Sequence, residues 1–347
     1  MVLRAVAGWI FGVALLVGSA AAFQPADALR DAGAKMFATT GAVGMVMVVV
    51  RGGAAVVHGY GETARASGVA PDGASLVRVG SISKVLATDL MLKLIAEGKL
   101  QLSDPVQKFA PRGTSIPGAS GHVITLLHLA THTSGLPRAL DGAGSPWQRV
   151  VHQKLRFTPG SAALYSNGAY DLLGEALAAA GGDRYDGLLR TKVTLPLGMD
   201  DTTAAPNSEQ CARLMGGSAE DPTTPCSAMV HIAASGGIYS TASDMAIWLH
   251  QHLELPHPVY VQRSAMATAE GLDYAGRASG IGLGWIQLAA TATSPEIFQK
   301  TGALNGFMSY VALAPGRKAG IFIAMTRTDM AVMGTVAKTI NELVASL

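Results

Sequence analysis

Leu76-Val77-Arg78-Val79-Gly80-Ser81-Ile82-Ser83-Lys84 changes its period halfway along. Leu76 to Val79 is a short β-rich run, whereas from Ile82 to Glu97 the apolar residues Leu86, Leu90, Leu92 and Ile95 predict a helix that Gly98 ends. Ser81 therefore stands where a strand turns into a helix. Positions three apart share a helix face, so the Lys84 ammonium reaches the Ser81 hydroxyl, and the helix N-terminus favours negative charge developing there. That is how an inert hydroxyl becomes a nucleophile. By itself the pattern is weak, since about one Ser-x-x-Lys is expected by chance in a chain of this length.

On the N-terminal side of this run, Ala26 to Phe37 has helical spacing. Val43 to Val50 and Ala54 to Gly59 are β-rich and flank Arg51-Gly52-Gly53, a hairpin signature. On the C-terminal side, residues from about 100 to 275 read mostly as helical patches joined by Pro and Gly loops, with Ile124 to Thr131, Tyr170 to Ala180 and Ser243 to Leu253 the clearest. The β signal then returns at Gly284 to Leu288, Ile297 to Lys300, Phe307 to Leu313 and Gly320 to Thr326, before a closing amphipathic helix from Val332 to Leu347. Two β-rich ends around a helical middle predict an α/β (α+β) fold: one antiparallel sheet built from N- and C-terminal segments, flanked by helices, with an inserted, mostly helical lobe. The expected organisation is a leader over 1–22 and one catalytic domain over 23–347, its α/β lobe at about 23–100 and 276–347 and its helical lobe at about 101–275. The cleft between the lobes is the expected site.

The chain has 347 residues, 49% hydrophobic and only 14% charged, which is ample for a large core and excludes extended disorder. A formal net charge of +2 without clustered Lys and Arg runs excludes nucleic acid as a natural partner. Met1-Val2-Leu3-Arg4, the apolar run Ala5 to Gly18 and Ser19-Ala20-Ala21-Ala22 form the charged, apolar and small-residue regions of a secretory leader, with cleavage expected after Ala22. Ala5 to Phe23 is also just long enough to span a bilayer, but its Gly, Ala and Ser content weighs against an anchor. Export implies an oxidising compartment, and Cys211 and Cys226, the only two cysteines, lie in a stretch rich in Pro, Thr, Ser and Gly. A local disulfide follows, worth about 3 kcal/mol by chain entropy. Two unpaired buried thiols stay open as the alternative, because spacing does not show that the Cβ atoms meet.

Two more elements carry chemistry. Tyr165-Ser166-Asn167 follows the turn Thr158-Pro159-Gly160 and offers a phenol and a carboxamide. A phenol becomes a usable base when a nearby cation lowers its ordinary pKa of about 10, and two lysines are at hand. Lys300-Thr301-Gly302 falls at the end of a predicted strand. There a cation and a hydroxyl hold a carboxylate, while glycine lets a substrate lie close to the strand edge.

Ser81-Ile82-Ser83-Lys84, Tyr165-Ser166-Asn167 and Lys300-Thr301-Gly302, in this order, resemble the signatures of the serine β-lactamase and penicillin-binding protein family. The Tyr-x-Asn element points to its class C side, and no Ser-Asp-Asn occurs. The likeness continues through Ile124 to Pro137, Pro196-Leu197-Gly198-Met199, Ser235-Gly236-Gly237-Ile238-Tyr239-Ser240-Thr241 and Gly282-Leu283-Gly284-Trp285. Gly44-Met45, Gly59-Tyr60-Gly61-Glu62-Thr63, Gln210 to Met215, Pro225-Cys226 and Gln299 to Gly302 are similar to its D-alanyl-D-alanine carboxypeptidase/endopeptidase type.

The resemblance implies a periplasmic D,D-peptidase acting on peptidoglycan peptides that end in D-Ala-D-Ala and binding β-lactams. In it Ser81 attacks the carbonyl while Lys84 and Tyr165 shuttle its proton. The backbone amides of Ser81 and Ala303 hold the oxyanion, at about 3–4 kcal/mol per donor. Asn167 orients the substrate amide, and Lys300, Thr301 and Gly302 grip the terminal carboxylate, with Arg327 a weaker candidate for that grip. A class C-type β-lactamase or esterase fits the same motifs, as does a penicillin-binding sensor that does not turn over, although no transmembrane signalling segment follows the leader. Where class C lactamases usually carry glutamine after the Leu-Pro of the helical lobe, Arg138-Ala139 follows Pro137 here.

No cofactor or protein partner is implied. His128 and His132 share the spacing of zinc ligands on a helix, but no glutamate lies between them and no third ligand is evident, so no metal is expected. Gly236-Gly237 reads as a tight turn, since neither phosphate-binding glycine pattern occurs.

Overall fold

A computed structural model describes residues 26–217, 224–263 and 278–347. The leader expected over 1–22 lies outside them. Eight strands form one antiparallel sheet in the order β2-β1-β10-β9-β8-β7-β6-β5. They are β1 (Gly44–Arg51), β2 (Ala54–Gly61), β5 (Val261–Gln262), β6 (Gly280–Ile281), β7 (Ile286–Leu288), β8 (Ile297–Leu304), β9 (Phe307–Ala314) and β10 (Ala319–Met325). The two ends of the chain meet where β1 pairs with β10, from Met45 opposite Met325 to Arg51 opposite Ala319. The sheet is thus built from both termini, as the sequence predicts.

Alternation along β1 explains why its sequence is apolar throughout. Met45, Met47 and Val49 pack with Leu29 and Met36 of the Ala26–Thr40 helix and with Met333, Val336 and Ile340 of the Met330–Ser346 helix. Val46, Val48 and Val50 face the opposite way, into a core shared with Val79, Ile82, Leu86, Trp248 and Leu249. A strand buried on both faces cannot show the apolar–polar alternation of a half-exposed one.

Against this second face packs the Ala242–Leu253 helix, whose Trp248 Nε1 donates to Asp89 of the Ser83–Ala96 helix, itself entered through a single tight turn, Gly80–Ile82. Leu86, Leu90 and Leu94 are fully buried, whereas Leu92 is 43% exposed and belongs to the outer side.

Three expectations need correction. β3 (Leu76–Arg78) does not join the main sheet but pairs with β4 (Tyr239–Thr241) in a two-stranded ribbon, all of whose residues are buried. The Lys300-Thr301-Gly302 element is not at a strand end: β8 runs on to Leu304, and an Asn305-Gly306 turn leads into β9. Both turn residues have positive φ, 45° and 88°, the conformation of a two-residue type I′ hairpin. The helix expected over Ile124 to Thr131 is only Leu126–Ala130, because the Thr125 hydroxyl and the His128 ring close a capping box around its first turn.

Candidate active site

Gly80 has φ +51, and a Cβ there would stand 2.5 Å from Ala303 N. Only glycine lets the turn carrying Ser81 lie this close to β8. From the other side, a Cβ at Gly302 would overlap the Val79 carbonyl and the Ser309 hydroxyl. Ser309 Oγ donates to the Val79 oxygen at 2.8 Å and ties the ribbon to β9. Two glycines and one serine therefore hold the Ser81 turn against the edge of β8.

The register of the hairpin gives this edge its chemistry. Leu304 and Phe307 close a two-residue turn as a hydrogen-bonded pair, so the next pair, Ala303 and Met308, is non-hydrogen-bonded. The Ala303 N–H and C=O consequently point away from β9, toward the side where Gly80 and Ser81 pack.

Ser81 Oγ is 2.6 Å from the Tyr165 hydroxyl and accepts a hydrogen bond from Lys84 Nζ at 3.1 Å. Lys84 also donates to Asn167 Oδ1 at 2.8 Å and to the Ser235 carbonyl. Tyr165 ends the loop before the Asn167–Gly181 helix, and Ser166 caps that helix by accepting from Ala169 N. Asn167 N donates to the Arg138 carbonyl at 2.8 Å, which anchors this helix start to the 137–138 loop.

Three cations surround the Tyr165 ring. Lys84 Nζ, Arg138 Cζ and Lys300 Nζ lie 4.9, 5.1 and 5.2 Å from its centroid. Lys84 is 0% exposed, and burial lowers its pKa to about 7, with the nearby Asp171 opposing the shift and Arg138 adding to it. Burial likewise brings Lys300 down to about 8, opposed by Tyr165 and reinforced by Lys84. An amine with a pKa near neutrality can both accept and return a proton.

The cleft is about 210 Å³ and is lined by Ser81, Tyr165, Asn167 and the run Gln299 to Ala303, together with Arg138, Ile286 and Met330. Thr301 Oγ1 is buried without a hydrogen-bond partner among the described residues. A buried hydroxyl left unsatisfied is costly, so a polar ligand atom is its natural complement.

The structure thus brings together Ser81, Lys84, Tyr165, Asn167, Lys300, Thr301, Gly302 and Ala303. Arg327 is not among the cleft residues; its guanidinium pairs with Asp329, which caps the C-terminal helix. Arg138 takes the place at the cleft that was expected of Arg327. The sequence signal was present, a cation directly after the Leu136-Pro137 step, but it read as a departure and not as a site residue. His128 caps its own helix, and His132 packs on Tyr165 while its Nδ1 accepts from Ser166 N at 3.1 Å. Burial and the surrounding cations hold His132 well below the usual imidazole range, so it is a neutral support for Tyr165. Cys211 and Cys226 form a disulfide, their Cα atoms 5.6 Å apart.

A nucleophile-ready serine beside a lysine and a phenol, on this sheet and at this cleft, defines a serine acyl-transfer architecture. The chain belongs to the beta-lactamase family, whose model, described as Beta-lactamase, matches residues 25–345. It is 38% identical over 335 residues to the D-alanyl-D-alanine-carboxypeptidase/endopeptidase AmpH of Escherichia coli, an alignment covering 90% of this chain and 86% of that protein. A crystal structure of a beta-lactamase/D-alanine carboxypeptidase from Yersinia pestis, complexed with citrate, superimposes with a TM-score of 0.83 at 39% identity, covering 90% of this chain and 95% of the other. A beta-lactamase/D-alanine carboxypeptidase from Pseudomonas syringae, 20% identical, shares the fold at a TM-score of 0.75 over 91% of this chain and 98% of its own.

Proposed function

We propose that this protein is a serine D,D-peptidase that cleaves peptidoglycan peptides ending in D-Ala-D-Ala through an acyl-enzyme on Ser81. The observation that carries the reading is the position of Ser81 Oγ between Tyr165 Oη at 2.6 Å and Lys84 Nζ at 3.1 Å, at the wall of a cleft that Lys300 and Thr301 also line.

As Ser81 Oγ attacks the penultimate D-alanine carbonyl, its proton passes to the Tyr165–Lys84 pair, with neutral Lys84 available near pH 7. The Ala303 N–H, freed by the hairpin register, and the Ser81 N–H receive the oxyanion. The C–N bond breaks when the pair returns the proton to the departing D-alanine nitrogen. Water then attacks the acyl carbonyl and gives its proton to the same pair, the bond from the acyl carbon to Ser81 Oγ breaks, the pair returns the proton to Oγ, and the shortened peptide leaves with a new terminal carboxylate. Asn167, held between Lys84 and the Arg138 carbonyl, orients the amide on the acyl side. Lys300 and Thr301 hold the terminal carboxylate, and Arg138 adds positive charge to the cleft lining.

Export to the periplasm follows from the leader-like sequence of residues 1–22 and agrees with the disulfide. No helix among the described residues is long and apolar enough to cross a membrane. Side-by-side steady-state assays with a muropeptide ending in D-Ala-D-Ala and a chromogenic cephalosporin test the function. Faster turnover of the peptide is expected; rapid cephalosporin hydrolysis with no D-alanine release favours a β-lactamase instead.

A further inference from the structure

Arg78 is 0% exposed, three residues before Ser81 on β3. Its Nη1 donates to the Asn305 carbonyl at 3.0 Å, and its Nη2 donates to the carbonyls of Thr224 and Pro225 at 2.7 and 3.0 Å. Nε reaches the Tyr239 hydroxyl at 3.3 Å, and the guanidinium lies against the rings of Tyr239 and Phe307. Every one of these acceptors is neutral. A guanidinium taken out of water is costly, and five donors in a fixed fork suit it to joining several backbone segments at once.

The segments it joins matter for the site. Asn305 follows Leu304 in the turn that ends β8, two residues after the Ala303 amide. Thr224 and Pro225 directly precede Cys226, whose disulfide runs to Cys211; Leu214, close by, bridges Leu76 at the start of β3. Phe307, under the guanidinium, is the first residue of β9 and is paired with Leu304. One side chain on the nucleophile's own strand therefore grips both the hairpin that presents Ala303 and the loop closed by the disulfide.

We propose that Arg78 is a positioning residue for acyl transfer: by clamping the Asn305 turn to the disulfide loop, it fixes the Ala303 amide relative to Ser81. This rests on the reading that Ser81 is acylated, but not on which substrate is turned over. The Cys211–Cys226 bridge is the far anchor of the same clamp.

The test is the limiting rate of acylation by penicillin, followed by intact mass and normalised to the sites that react, with melting temperature measured alongside. R78K, which keeps the charge but loses the fork, is expected to lower the limiting rate about 10- to 100-fold, with half-saturation changed less than about threefold, because an oxyanion donor acts mainly in the transition state. Reducing the disulfide in the wild type is expected to slow acylation in the same direction. Reduction of R78K should add little, since both act through one contact. Tyr239→Phe, a milder loss of one acceptor, gives a smaller decrease and serves if R78K does not fold. Unchanged acylation rates in R78K or Tyr239→Phe, or losses from R78K and reduction that simply multiply, overturn the proposal. A wild type that penicillin never acylates overturns the Ser81 reading itself, a distinguishable result.

Discussion

The Ser81 and Tyr165 hydroxyl oxygens, 84 positions apart in sequence, stand 2.6 Å from each other, closer than Ser81 Oγ stands to Lys84 Nζ in the first turn of the helix that follows. A serine so placed is already hydrogen-bonded to the phenol that relays its proton in the proposed mechanism, the phenol's own proton passing to neutral Lys84. Tyr165→Phe keeps the ring and its packing on His132 but removes the acceptor. Its kcat should fall by about 10²- to 10⁴-fold with little change in KM, the usual range for general-base participation. Retention of near-normal kcat would leave Lys84 as the sole base.

The two buried lysines set opposite limbs of the pH profile. Lys84, with a pKa of about 7, must be neutral to accept a proton, so kcat/KM falls as pH drops below about 7. Lys300, with a pKa of about 8, must be charged to pair with a carboxylate, so KM for D-Ala-D-Ala peptides rises above about pH 8. A peptide amidated at its C-terminus should keep the acid limb and lose the alkaline one. Identical alkaline limbs for both peptides would contradict the assignment of Lys300.

Gly80→Ala introduces a Cβ that would stand 2.5 Å from Ala303 N at a positive φ. The turn must then move off β8, separating Ser81 from the Ala303 amide. Acylation should slow by at least about tenfold, beyond what a loss of about 1–3 kcal/mol in stability explains, because misplacement of the reacting groups costs rate directly. Comparison of melting curves with acylation per folded site checks it, and an unimpaired rate would show that the close approach is not needed.

Much of this was legible locally. The Ser81–Lys84 pair needs only helical spacing, and the N- and C-terminal strands announce themselves as β-rich runs beside turn residues. Tyr165, Asn167 and Lys300 were legible only as elements of a motif set, since their convergence on Ser81 spans the whole fold. The extent of β8 is not legible because Lys300-Thr301-Gly302 breaks the apolar run, whereas the Asn305-Gly306 turn sets the strand's end. Arg78 gives no local signal of its place and Arg138 only that of a cation after Leu136-Pro137: each is defined by segments far away in sequence, the one by carbonyls of the disulfide loop, the other by the ring of Tyr165. Arg327 lies outside the cleft lining and is engaged by the neighbouring Asp329.

The central claim, that Ser81 forms an acyl-enzyme, is tested most directly by intact-mass spectrometry after incubation with penicillin. The wild type should gain the mass of one whole penicillin, since ring opening expels no fragment, and Ser81→Ala should gain none. A wild type that stays unmodified, or an adduct that persists in Ser81→Ala, would contradict it.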